Sequence, residues 1–299
     1  MRYGLITCVA LVLAFLTNAP RAQLLEAPVT TDQPYGGKLL ATGGVAQIEG
    51  AGGGGLAPWA VISGYGTRDQ IGGSGFVTHV RSQDYHLTAY GATLGLYDRV
   101  ELSVAQQRFN TESVGVALGL GKGFTFRQDI LGVKVKVFGD AVLDQDRWWP
   151  QVSLGAQFKN NNRVAALRTI GARNDKGVDF YASATKLYLA QSLLVNTTLR
   201  FTKANQLGIL GFGSTTSNSY KPMLEASAAL VLSRNWLIGT EYRMKPNNLA
   251  FARENDWYDA FIVWVPTKNI SITAAYVNLG NIVIRDNQRA AYLSLQLGF

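Results

Sequence analysis

From Tyr85 onward, apolar residues alternate with polar or small ones in one run after another. Tyr90, Ala92, Leu94 and Leu96 share a face, opposite Gly91, Thr93 and Gly95. After a short turn at Tyr97-Asp98-Arg99, Val100, Leu102 and Val104 alternate with Glu101, Ser103 and Ala105. Leu131, Val133, Val135 and Val137 oppose Gly132, Lys134 and Lys136, and Val152, Leu154, Ala156 and Phe158, in phase with Trp148, oppose Gln151, Ser153, Gly155 and Gln157. The same two-residue period runs through residues 180–188, 193–201, 224–232, 236–242, 258–264 and 270–276. It predicts strands that are apolar on one side. Trp59, Val61, Ser63 and Tyr65 read as the first of them. Ala291, Leu293, Leu295, Leu297 and the terminal Phe299 form the apolar face of the last, opposite Tyr292, Ser294, Gln296 and Gly298.

The connections alternate too. Short ones fall around Asp98, Ser192, Arg234 and Lys268, and long polar ones at residues 110–123, 160–177, 203–220 and 245–255; residues 139–147 are longer than a short turn should be. Short periplasmic turns and long outer loops are the habit of transmembrane barrels, which assigns a direction to every strand. With that direction, Trp59, Trp148, Trp149, Trp236, Trp264 and Phe299 fall at the periplasmic rim. Tyr65, Phe158, Phe201, Tyr242, Tyr258 and Tyr276 fall at the outer one. Two aromatic girdles favour an all-β transmembrane antiparallel barrel over a soluble sandwich. The count is about twelve strands, or about fourteen if residues 36–55 and 76–80 also pair.

The N-terminus changes the picture of location. An apolar run from Leu5 to Leu16 follows Arg2, is too short to span a bilayer as a helix, and leads to Asn18-Ala-Pro-Arg-Ala22. This predicts a signal peptide over residues 1–22 and export to the outer membrane of a Gram-negative cell. Cys8, the one cysteine, leaves with it, so thiolate chemistry and cysteine metal sites are excluded. Loss of Arg2 and Arg21 takes the formal charge from +8 to +6, too diffuse for a nucleic-acid partner. Residues 23–57 read as a lead-in and a Gly-rich segment, and residues 58–299 as the barrel. Gly50-Ala-Gly-Gly-Gly-Gly55 matches the dinucleotide pattern GxGxxG, but it runs into Leu56-Ala-Pro58-Trp59 and not into a helix. The glycines are expected to build either a plug within the barrel or an extra hairpin.

Strand parity points eight charged residues inward: Glu101, Lys134, Lys136, Arg200, Glu225, Glu241, Arg243 and Asp259. Cross-strand neutralisation is available between Glu101 and the two lysines and between Glu225 and Arg243. Otherwise these groups set a transverse field for a polar or ionic solute. Lys159, Arg163, Arg168, Arg173 and Lys176 flank a long outer loop with Asp175 as their single counter-charge, and suit the phosphates of outer-leaflet lipopolysaccharide or, as the alternative, the gathering of anionic solutes. His79 and His86, with Ser74, Ser82 and Asp84 nearby, supply residue types for a hydrolase but no triad spacing. No metal site or cofactor is expected. The expected function is passive passage of small polar or ionic solutes; the alternatives are a structural or adhesive barrel and, behind that, an outer-membrane lipid hydrolase.

Two resemblances extend this reading. Leu295, Leu297 and Phe299 resemble the C-terminal insertion signal of Gram-negative outer-membrane barrels, which implies the barrel-assembly machinery as a partner. Gly36-Gly-Lys-Leu-Leu-Ala-Thr-Gly-Gly44, Glu49-Gly-Ala-Gly-Gly-Gly-Gly55, Gly64-Tyr-Gly66 and Leu96-Tyr-Asp-Arg-Val-Glu101 resemble a domain-of-unknown-function family of proteobacterial proteins. That resemblance implies an outer-membrane barrel and carries no functional residue with it.

Overall fold

The computed structural model describes residues 36–38 and 42–299; the expected signal peptide, most of the lead-in and Cys8 lie outside the described residues. Twelve strands form one closed antiparallel barrel: β1 Ile71–Ser82, β2 His86–Leu96, β3 Val100–Asn110, β4 Thr125–Phe138, β5 Gln151–Asn161, β6 Lys176–Tyr188, β7 Leu193–Thr202, β8 Lys221–Ser233, β9 Trp236–Arg243, β10 Trp257–Thr267, β11 Ile270–Ile282 and β12 Arg285–Gly298. Each strand pairs with its sequence neighbours, and β12 closes on β1 with Leu297 opposite Gly75 and Ala290 opposite Ser82. Closure leaves no sheet edge, as a chain in hydrocarbon requires.

The two-residue period becomes an inside and an outside. Leu102 and Val104, Leu131, Leu154, Leu199, Ile262, Leu293 and Leu295 are all exposed on the barrel exterior. A belt of this size would drive a soluble protein to aggregate; around a closed barrel it is the lipid-facing surface. One end carries the tight turns at residues 97–99, 189–192, 234–235 and 268–269, with the longer connection 139–150. Tyr97 and Asp98 both take positive φ as the central residues of the turn that Arg99 N closes on Leu96 O at 2.9 Å. The other end carries four long connections and two tight ones, at residues 83–85 and 283–284. Trp236 and Trp264 stack with ring centroids 5.7 Å apart beside the tight turns, where a girdle is expected.

Three expectations are corrected. Residues 58–66 are not a barrel strand: the barrel begins at Ile71, and the strand expected from Trp59, Val61, Ser63 and Tyr65 is replaced in the count by β1. Trp59 does not join the rim but is buried, its Nε1 donating to Ser227 Oγ at 3.0 Å. Tyr65 lies at the tight-turn end, where its main-chain N donates to Phe299 O at 3.0 Å. Alternation records only that a chain lies flat against one wall. Here the wall is the inner face of the barrel itself.

Candidate functional site

Residues 43–66 occupy the barrel interior. The segment enters at the tight-turn end, where Lys38 meets Asp98 at 2.7 Å. It reaches Lys159 and Arg243, near the opposite ends of β5 and β9, and returns to Phe299. A short ladder pairs Val45–Ala46 with Gly52–Gly53, turns such as Gln47 N to Ala51 O and Ile48 N to Gly55 O close within the segment, and wall side chains satisfy many of the remaining backbone groups. Glu101 accepts from the main-chain N of Gly52 at 2.9 Å and of Ser63 at 2.8 Å. Glu241 accepts from Leu56 N at 2.7 Å and Ala57 N at 3.3 Å. Lys134 donates to Gly52 O and Trp59 O, Gln107 to Ile48 O, Thr198 to Pro58 O, and Thr185 Oγ1 accepts from Ala60 N. Glycine is required for this fit: a Cβ on Gly53 would stand 2.5 Å from the Ala57 main-chain O, and Gly64, with φ +80°, passes so close to β1 that a Cβ would meet Gly73 N at 2.4 Å.

The tip of the segment completes a charge cluster. Lys159, Arg200 and Arg243 project from the wall with only Asp179 and Glu225 to balance them, and Glu49 is the third carboxylate. Glu49 pairs with Lys159, with Arg243 at 2.8 Å and with Arg200 at 3.5 Å. Arg200 Nε also holds Glu225 at 2.6 Å, and Lys159 holds Asp179 at 2.6 Å. All six side chains are almost wholly buried. Taken alone the wall carries one excess positive charge here, and the inserted segment neutralises it.

The eight residues assigned inward by parity are all buried within the barrel. Glu101 pairs with Lys134 at 2.9 Å, whereas Lys136 turns to Asp98; Glu241 N donates to Asp259 Oδ1 at 2.9 Å. Lys159 is a correction, since it belongs to the lumen cluster and not to the outer loop. Its parity, adjacent to the outward Phe158, already pointed inward. Arg163 donates to Thr125 O and lies over the Phe124 ring, while Arg168, Arg173 and Lys176 are exposed. Glu49, Asp179, Lys245 and Glu254 were not singled out from sequence. Glu49 left a signal: it is the one charged residue between Lys38 and Arg68.

A second element fills the lumen from the long-loop end. Residues 206–210 of the 203–220 connection fold inward and are buried, with Leu207 O accepting from Gln128 and Lys159 and Ile209 O from Asn161. Gln206 N donates to Glu254, which pairs with Lys245 at 3.0 Å. Burial pushes the Glu254 carboxyl up and the Lys245 ammonium down from their ordinary values, each opposed by the other's charge. The histidines lie elsewhere: His79 Nδ1 is 3.1 Å from Thr88 Oγ1 and His86 Nδ1 is 2.7 Å from Glu112. Ser74 bonds Ser63 and Thr93, Ser82 bonds Gln288, and Asp84 accepts from Gln288, so these groups do not assemble a nucleophile, base and orienting acid. Among the described residues no three His, Cys, Asp or Glu side chains gather as metal ligands.

Against known families, the model described as "Protein of unknown function (DUF3034)" matches residues 42–296, which takes in the inserted segment and the twelve strands up to the last two residues of β12. The chain belongs to the DUF3034 family. Among curated proteins this DUF3034 chain has no match. Among solved structures it is similar to the KdgM porin, at 10% identity and a TM-score of 0.47, over 76% of this chain and 99% of that one. It is likewise similar to the COG4313 outer membrane channel from Pseudomonas putida F1, at 12% identity and a TM-score of 0.46, over 82% and 97%. Outer membrane phospholipase A from Escherichia coli is a third, at 10% identity and a TM-score of 0.42, over 79% and 94%.

Proposed function

We infer that this DUF3034 protein is an outer-membrane channel held shut by its own N-terminal segment. The observation that carries the reading is the path of residues 43–66: both limbs of the segment leave through the tight-turn end, so it can withdraw without breaking any barrel pairing. Its contacts with the wall combine apolar packing of Ile48, Leu56, Trp59 and Val61 with many hydrogen bonds and ion pairs, and water can replace the polar ones as the segment moves out. A barrel of twelve strands leaves a lumen that wall side chains alone do not fill, and a purely structural barrel has no need of a filling that is tethered at one end. Free passage of solutes, expected from the pattern of inward charges, requires the segment to move. The test is single-channel recording: the wild type is expected to rest closed and to show discrete steps when the Glu49 cluster is broken. A barrel equally silent in both forms would favour the structural reading.

The exposed apolar belt around a closed barrel supports a location in the outer membrane of a Gram-negative cell, where Arg168, Arg173 and Lys176 would contact lipopolysaccharide phosphates. Replacing these three by alanine is expected to lower lipopolysaccharide binding at low salt and to leave little difference at high salt; binding unchanged at low salt would remove that role.

A further inference from the structure

The outer half of the lumen is not polar throughout. Beside the tip of the inserted segment lies a cavity of about 40 Å3 walled by Val80, Leu87, Phe109 and Leu279, with Ile48 and Leu56 of the segment at one side. By the measure in which one water takes roughly 10–15 Å3, it has room for about three or four heavy atoms, and an apolar lining holds water poorly. The cavity lies beside the tight hairpins at residues 83–85 and 283–284, which Tyr85 Oη ties together by donating to Ile282 O at 3.0 Å. Ser82, His86 and Gln206 also line it but are paired with Gln288, Glu112 and Lys245; so do Tyr292 and Trp257, each with a buried polar atom that has no partner. The Trp257 side chain is almost wholly buried, yet its Nε1 hydrogen finds no acceptor. A buried indole N–H without a partner is an unmade hydrogen bond that a bound acceptor would supply.

The surrounding charges narrow the acceptor. Lys245 sits 4.2 Å from the Trp257 ring centroid but is already paired with Glu254, and Asp259 faces the same lumen two residues along β10. An anionic ligand would meet no free cation there. We propose that this cavity is the recognition site for a small, largely hydrocarbon solute bearing one neutral acceptor, such as a ketone or ester oxygen, which accepts from Trp257 Nε1. The consequence for passage rests on the gated-channel reading. Because Ile48 and Leu56 belong to the segment that closes the lumen, a solute larger than the present cavity is accommodated by moving them, and its binding loosens the segment. The solute class is then apolar and acts as its own opener.

The experiment measures binding of 2-heptanone, heptane and heptanoate to full-length protein in lipid nanodiscs, taking the cavity-filling variant Val80→Trp as background for partition into lipid. Leu279→Trp serves as background should Val80→Trp fail to assemble. The expected result is saturable 2-heptanone binding in the wild type alone, roughly tenfold weaker binding of heptane for want of one hydrogen bond, and heptanoate weaker than the ketone. Trp257→Phe is expected to reduce the ketone to the level of heptane. Equal uptake by wild type and both filled variants, or heptanoate binding as tightly as the ketone, overturns the site. Addition of 2-heptanone is also expected to raise conductance in planar bilayers. Binding without that rise keeps the site and overturns its link to gating. Conductance of Glu49→Ala without any ketone binding keeps the gate and overturns the site.

Discussion

Replacing Glu49 by alanine removes one carboxylate from a cluster that pairs three cations with three anions. Breaking a buried ion network by deleting one partner costs about 3–5 kcal/mol, because a charge is left without compensation. The lower end applies here: Lys159 retains Asp179, and Arg200 and Arg243 retain Glu225, so one positive charge is shared over three side chains. A loss of about 3 kcal/mol is on the order of a 150-fold rise in the population of the withdrawn segment. The amides of Gly52 and Ser63 report it, since both donate to Glu101 only while the segment is seated. Their hydrogen exchange is expected to accelerate about 150-fold in Glu49→Ala while the β-strand amides keep wild-type protection. Acceleration of less than about threefold would refute the claim that charge neutralisation seats the segment, and parallel acceleration in the strands would show that the whole barrel had been weakened.

Two further outcomes follow from particular contacts. Deleting Phe299 removes the main-chain carbonyl that accepts from both Gly73 and Tyr65, along with the last aromatic of the tight-turn rim; assembled barrel, read by heat-modifiable gel mobility, is expected to fall several-fold, and normal assembly would show that the terminal residue is dispensable. Burial raises the pKa of Glu254, so its contribution to holding the 206–210 turn is fully present below the ordinary carboxyl pKa and declines as pH rises through the raised value; limited proteolysis of the 203–220 connection is expected to be no faster at pH 4.5 than at pH 7, and faster cutting at pH 4.5 would contradict that sign.

The barrel was legible because lipid and lumen impose opposite demands on adjacent residues, so that Glu101, Lys134 and Arg200 could be placed inward from the parity of Leu102, Val133 and Leu199 alone. The inserted segment was legible only as a choice between plug and hairpin. Trp59, Val61, Ser63 and Tyr65 alternate because they too lie against a surface, and nothing local separates the inner face of a barrel from a neighbouring strand. What separates them is charge: Glu49 stands alone in an almost neutral stretch, and a lone carboxylate there calls for cations supplied from elsewhere in the chain. Lys159 was assigned to a loop by its neighbours in sequence, although the outward Phe158 beside it already turned it inward. The apolar cavity was hidden because Ile48, the Val80–Leu87 hairpin pair, Trp257 and Leu279 come from distant parts of the chain and meet only when the sheet closes.

The central claim, that residues 43–66 close a conducting barrel, is tested most directly by planar-bilayer recording of the wild type beside a form lacking residues 44–62, with Glu49→Ala in its place should the deletion fail to assemble. The expected result is a wild type that is closed for nearly all of the record and a deleted form with stable, large conductance steps. Equal conductance in the two, whether both open or both silent, would contradict it.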